Sequence, residues 1–290
     1  MRQWYEMGIM RELKNYFFQC LQLIFATIEW CWLYITTLGN QRNYENSASV
    51  SRIFWRRKLC HPYEDYHYGK EDFVSFHLHF THPSVILKDD ITLYSVSPSH
   101  AYFVDCQSYD VFSENMTFMH VTQFEQAVTL ISIPIEYFHR IADEIEKDDV
   151  KVLHITNHGR CGSTLMHRIF QSTTRTLSMG EPFALAALAE YTRQGYLSLD
   201  QQVRVCKSIF NSLLKHTSTR KVNSISIETC STCIVIADVM ATARPSLKQI
   251  YLYRQLMPFA HSWEKLQLVN QWPSPISRYL LYYFEKKYPF

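Results

Sequence analysis

The chain has 290 residues, 47% of them hydrophobic and only 19% charged, with 19 Tyr and 18 Phe against 7 Gly. That length suits one large or two small domains, and its apolar content offsets chain entropy, which excludes a disordered or low-complexity segment. A net charge of +2, with 13 His counted neutral, supplies no global field, so nucleic acid is not an expected partner.

Residues 1–40 form the first unit. Tyr16 to Leu38 reads YFFQCLQLIFATIEWCWLYITTL, long enough to span a hydrocarbon core. Gln19, Gln22 and Glu29 interrupt it, and a carboxylate near mid-span is costly. Trp30, Trp32 and Tyr34 suit an interfacial belt. A signal anchor, an interfacial helix and a buried helix all stay open, and membrane association through residues 16–38 is the expectation. The side is also open. Arg42, Arg52, Arg56, Arg57 and Lys58 favour a cytoplasmic body, whereas Asn115-Met-Thr117 is a glycosylation sequon, meaningful only in a lumen.

Gly39–Ser51 reads as a polar linker. Residues 41–148 form an aromatic-rich α+β extension. Asp72–Phe76 and Ile91–Val96 are expected strands, Thr122–Leu130 a helix redirected by Pro134, and Ile135–Ile145 a second helix. His77, His79 and His82 alternate along one segment and are expected to be solvated or hydrogen-bonded. Cys230 and Cys233 make a lone CxxC with no second pair at zinc spacing and no strand-to-helix context for thioredoxin chemistry, so neither metal nor redox function is expected of them. No metal is expected.

The pattern changes at residue 149. Val150–Thr156 is a nearly continuous apolar strand of the buried parallel type. A glycine-containing turn and a helical Leu165–Phe170 follow. Then come strand Val222–Ile227, helix Thr232–Ala243 and strand Leu247–Tyr253, with a helix from Ser262 to Val269. Alternation of this kind makes 149–290 an α/β domain, a parallel sheet flanked by helices. Within it, Ile234–Asp238 imitates a strand ending in a metal-binding Asp, but its spacing fits the helix better.

The turn is Asn157-His-Gly-Arg-Cys-Gly-Ser-Thr164. A tight loop between buried strand and helix presents successive backbone N–H groups, and the helix N-terminus adds about half a positive charge. Gly162 permits close approach of an anion, Ser163 and Thr164 supply hydroxyls, and the Arg160 guanidinium suits a tetrahedral oxyanion. The triphosphatase pattern GxxxxGK[ST] is not met, since Ser163 stands where its Lys belongs and Asn157 where its first Gly belongs. An anion site is expected nonetheless.

Gly159-Arg-Cys-Gly-Ser-Thr-Leu165 resembles the 5′-phosphosulfate loop of the sulfotransferases, in their carbohydrate-type and bacterial glycolipid-type branches. Cys161 departs from the usual Ser or Thr. A second element agrees: Arg254 closes a strand and Ser262 follows eight positions on, the family's pair for the 3′-phosphate, although Gln255 replaces the common Asp or Asn. A third, Ser178-Met-Gly-Glu-Pro-Phe183, is similar to the family's Glu-Pro segment. The similarity covers about Val150 to Trp263.

What the resemblance implies is a P-loop NTPase-like α/β fold and a donor, 3′-phosphoadenosine 5′-phosphosulfate (PAPS). The acceptor would be a hydroxyl on a carbohydrate or lipid, and the location the Golgi or another endomembrane. Gly159, Arg160, Cys161, Gly162, Ser163, Thr164 and Leu165 would hold the 5′ end, and Arg254 and Ser262 the 3′-phosphate. Glu181 is the candidate catalytic base, with His158 and His167 as alternatives and a plain helix-terminal carboxylate as its other reading. Two rivals remain: a P-loop phosphotransferase or hydrolase, and an inactive membrane-associated relative. Cys161 and a short stretch after Ser262 suggest a truncated or divergent member.

Overall fold

The structure is a computed structural model that describes residues 2–37, 47–57, 69–113, 116, 118–145, 149–173 and 175–270. The sequon residues Asn115 and Thr117, Leu38 at the end of the apolar stretch, and positions 39–46 of the expected linker lie outside the described residues.

The first half is a five-stranded antiparallel sheet. It is built from β1 (Ala48–Arg56), β2 (Phe73–Thr81), β3 (Ile91–Val96), β4 (His100–Asp105) and β5 (Thr129–Pro134), in the order β2-β1-β5-β4-β3. Two expectations need correction. Residues 48–51 of the expected linker are strand, paired on both sides with β2 and β5. The expected helix Thr122–Leu130 is a shorter α2 (Met119–Gln126), and Leu130 already belongs to β5. Position decides this: β5 is the central strand, and Leu130, Ile131 and Ile133 are buried there. Pro134 ends that strand and precedes α3 (Ile135–Glu144), which buries Phe138, Ile141 and Ala142.

An N-terminal helix, α1 (Arg2–Thr37), packs along β2. Gln22 Nε2 donates to the carbonyls of Glu71 and Phe73 at 2.5 and 3.0 Å, Phe18 is buried, and Phe17 and Phe18 meet Trp55 edge-on. A side chain read as a flaw in a membrane span is therefore a docking contact. Among the described residues no helix is long and apolar enough to cross a membrane, so the signal-anchor reading has no support from the fold.

The second half is a four-stranded parallel sheet of β6 (Lys151–Asn157), β7 (Thr176–Gly180), β8 (Ser224–Glu228) and β9 (Lys248–Leu252), in the order β7-β8-β6-β9. Every pairing in it is parallel. Helix α4 (Ser163–Gln171) follows β6, and α5 (Phe183–Arg193) follows β7. Helix α6 (Leu199–Leu214) begins with a capping box between Ser198 and Gln201, and the short α7 (His216–Arg220) leads to β8. Beyond β8 a 3₁₀ turn (Ser231–Ile236) passes into α8 (Ala237–Ala243), so the expected helix from Thr232 is half 3₁₀. Helix α9 (Leu256–Asn270) starts earlier than expected and includes Ser262. This half is α/β. One buried apolar cluster crosses residue 149, joining Leu93, Phe103 and Phe138 to Leu185, Ile209 and Leu213.

Candidate functional site

In the parallel sheet β6 lies between β8 and β9. The chain leaving β6 travels to β7, beyond β8, and β9 is added on the other side. The carboxyl ends of β6 and β9 therefore border a crevice where the winding direction switches, the ordinary ligand position of open α/β sheets.

Asn157, the last residue of β6, builds the loop that follows. Its Nδ2 donates to the Thr229 carbonyl and its Oδ1 accepts from the Gly159 N–H, both at 2.7 Å. The chain then enters the left-handed region at Gly159 (φ 87°), Arg160 (φ 51°) and Gly162 (φ 94°). Only glycine does so cheaply, so Arg160 carries local strain of the kind concentrated at functional sites. A Cβ added at Gly159 or Gly162 would meet nothing within 4 Å, so the loop's mouth is open space. Gly162 caps α4, whose first amides have no intrahelical acceptor and point into that space.

Two distant stretches converge here, the loop after β6 and the chain running from the end of β9 into α9. Arg160 Nε donates to Ser262 Oγ at 2.9 Å, across 102 positions of sequence. Arg254 Nη1 donates to the Arg160 carbonyl at 3.4 Å, and the Arg254 N–H donates to His158 Nε2 at 2.7 Å. The His158 ring stands edge-on to Phe259 at 4.9 Å. Arg160, Arg254 and Ser262 thus share one mouth. Cys161 is half-buried beside it, and Leu165 is 67% exposed on the first turn of α4.

Beneath the loop lies a buried acidic floor. Glu228, at the end of β8, is buried, and Thr164 Oγ1 donates to its Oε1 at 3.5 Å. Burial raises the Glu228 carboxyl above its ordinary value, opposed by hydrogen bonds from Ser163 and Thr164; its Oε2 has no partner. The Glu181 N–H donates to the Glu228 carbonyl at 2.7 Å and holds Glu181 at φ 50°. Burial, then the nearby Cys230 and Glu228, push the Glu181 carboxyl up to about 8. His120 of α2 donates from Nδ1 to the Glu181 carbonyl at 3.1 Å, lies 3.8 Å from Glu181 Oε2, and stacks on Phe183.

Of the two alternative bases, His158 is engaged with the Arg254 amide. His167 faces the core: its Nδ1 pairs with Ser178 Oγ at 2.7 Å, and burial lowers it to about 4. It is a packing residue, away from the mouth. His77 is likewise buried against Ser49 Oγ at 2.8 Å, and His82 caps a 3₁₀ turn. No group of three or more metal-ligand side chains converges among the described residues. A separate cleft of about 320 Å³ opens between α1 and β2, lined by Gln19, Phe25, Glu29, Lys70 and Phe73, and carries none of the anion-binding groups.

Glu228, His120 and the organising role of Asn157 were not singled out from sequence. The only signal for Glu228 is an acid closing the alternating strand Ser224-Ile-Ser-Ile-Glu228; His120 carried none. Comparison with protein-family models, with curated proteins and with solved structures finds no match to this chain.

Proposed function

We propose that the crevice binds PAPS and that the protein transfers its sulfuryl group to a hydroxyl of a carbohydrate or lipid. One observation carries this reading: Arg160, Arg254 and Ser262, drawn from two distant stretches, meet at one loop mouth. The donor set fits a doubly phosphorylated nucleoside. Two guanidiniums, the hydroxyls of Ser163, Thr164 and Ser262, and the first amides of α4 all address oxyanions. A β6–β9 crevice in a β7-β8-β6-β9 parallel sheet also agrees with a P-loop-type fold.

In this reading the loop from Gly159 to Thr164, with the first turn of α4 through Leu165, would hold the 5′-phosphosulfate, and Arg254 and Ser262 the 3′-phosphate. PAPS supplies an activated sulfuryl group. The protein's part is to hold it in line and to stabilise charge on its equatorial and leaving oxygens. Glu181 would take the acceptor's proton, its raised carboxyl lying near the working pH as a general base requires. Calorimetric titration with adenosine 3′,5′-bisphosphate tests the assignment. Arg160→Ala and Arg254→Ala should each abolish binding; unchanged affinity in both sinks it.

One observation favours a second reading. A hydroxyl pair on an α4 turn beside the Glu228 carboxylate, with Oε2 unpartnered, is a set of hard oxygens that suits Mg²⁺ in phosphoryl transfer. Mg²⁺-dependent ATP turnover without sulfuryl transfer would favour it.

The exposed apolar side chains Leu13, Tyr16, Leu23, Ile24 and Ile28 on α1, with Trp30 and Trp32, support association of this helix with a bilayer surface. Flotation with lipid vesicles, lost on Leu23→Glu with Ile24→Glu, tests that arm.

A further inference from the structure

The CxxC pair follows β8 directly, as Thr229-Cys-Ser-Thr-Cys233. Its backbone is fixed from both sides. The Thr229 N–H donates to the Ile155 carbonyl at 3.1 Å, and the Thr229 carbonyl accepts from Asn157 Nδ2. The Cys233 N–H then donates to the Cys230 carbonyl at 3.1 Å. That turn folds both thiols to one side, with Sγ–Sγ 3.6 Å and Thr232 Oγ1 3.0 Å from Cys230 Sγ. Exposure is unequal. Cys230 is half-buried, whereas Cys233 is buried.

We propose that Cys230 and Cys233 form a reversible dithiol–disulfide site that exchanges with low-molecular-weight disulfides, Cys230 attacking and Cys233 resolving. The Cys230 thiolate attacks one sulfur of R–S–S–R, an S–S bond breaks, and one thiolate leaves to take up the proton Cys230 lost. The Cys233 thiol then loses its proton and attacks Cys230 Sγ. The new mixed disulfide breaks, and a second R–SH departs. Two protein thiols are oxidised by two electrons, and one disulfide is reduced to two thiols.

Electrostatics assign the same order. Hydrogen bonding from Cys233, then from Thr232, draws the Cys230 thiol down to about 7 against burial, while Cys233 is pushed well up. The pair also faces the acidic floor, where negative charge at Cys230 helps to raise Glu181. Conversion to a neutral disulfide removes that charge and lowers the Glu181 carboxyl. The dithiol site stands whether or not the loop holds PAPS, because neither thiol belongs to the anion-binding set.

The test uses the full chain in a buffer of reduced and oxidised glutathione, read by peptide mass mapping without reduction. The wild type should form a Cys230–Cys233 disulfide that dithiothreitol reverses. Cys233→Ser and the apolar Cys233→Ala should both accumulate glutathione on Cys230, and Cys230→Ser should leave Cys233 unmodified. Iodoacetamide at neutral pH should reach Cys230 about tenfold faster than the exposed Cys20 and Cys31. Two outcomes would overturn the proposal. In one, Cys20 and Cys31 take up glutathione while Cys230 stays a thiol; in the other, wild type and Cys233→Ala carry the same stable adduct on Cys230. Neither readout depends on nucleotide binding, so a failed bisphosphate titration leaves this result separate.

Discussion

Two buried charges lie in or against the antiparallel half, and both are matched. Asp72 accepts from the Tyr94 hydroxyl at 2.5 Å, and the Lys215 ammonium, sent across from α6's end, donates to the carbonyls of Ile86, Lys88 and Ile91. At the carboxyl ends of the parallel sheet, Glu228 keeps an unpartnered oxygen, Glu181 sits beside it in a left-handed conformation, and Arg160 adds strain of its own. Burial without full compensation is costly. Half-paired buried groups also occur singly elsewhere, at Gln123 and Arg244 for example, but only at these strand ends do a half-paired carboxylate and two left-handed non-glycine residues stand together among the described residues.

That contrast can be broken at either end. Lys215→Met should strand three carbonyls in a buried junction and cost about 3 kcal/mol of stability in urea unfolding, while leaving bisphosphate affinity intact in the folded protein. A loss of affinity there would show the halves to be coupled. Arg254→Ala should do the reverse, abolishing bisphosphate binding with no change in the unfolding midpoint, because the side chain is exposed.

Glu181→Gln sharpens the comparison through pH. The folded carboxyl titrates near 8 against 4.5 when free, so between those values the folded state binds more protons than the unfolded one. Stability therefore falls as pH rises from about 5 to 8. The Gln variant should flatten that profile and be more stable by about 2 kcal/mol at pH 8. If Glu181 is the base of the proposed sulfuryl transfer, turnover should rise through about pH 8 in the wild type and lose that limb in the variant. An unaltered stability profile would return Glu181 to an ordinary carboxylate.

Smaller effects follow at the loop. Gly162→Ala meets no steric obstacle but must hold φ 94°, so about 1 kcal/mol of stability should be lost, with weaker anion binding. Leu165→Ala, at a largely exposed position, should change stability by under about 0.5 kcal/mol. A larger loss of affinity there would extend the binding surface along α4.

Much of the α/β half was legible because its strands carry short apolar or alternating runs, buried in β6 and β8 and exposed in β9. β6, β8 and β9 fall where those runs predict, as does α4 to within a turn, whereas α9 begins six residues before the expected Ser262. β7 was missed because Thr176-Leu-Ser-Met-Gly180 lacks a β-branched run, and it is held by pairing with β8. In the antiparallel half, Thr122–Leu130 misled because helical periodicity runs into the start of a central strand. Gln22 misled for a different reason: a polar residue in an apolar helix looks the same whether it faces lipid or a neighbouring carbonyl.

By itself, the sequence determined the strand–turn–helix around Gly162, the chemistry of Arg160, Arg254 and Ser262, and the strand that ends before Arg254. These are local, written in spacing and residue type. Only the tertiary structure decided that the three residues meet, that Glu228 and His120 close on Glu181, and that two cysteines face each other beneath them. The first two sets of contacts join segments tens of residues apart, while the cysteine pair is local but is oriented by the backbone that Ile155 and Asn157 hold in place. The cost and benefit of all three arise from burial and pairing, which no single stretch of chain encodes.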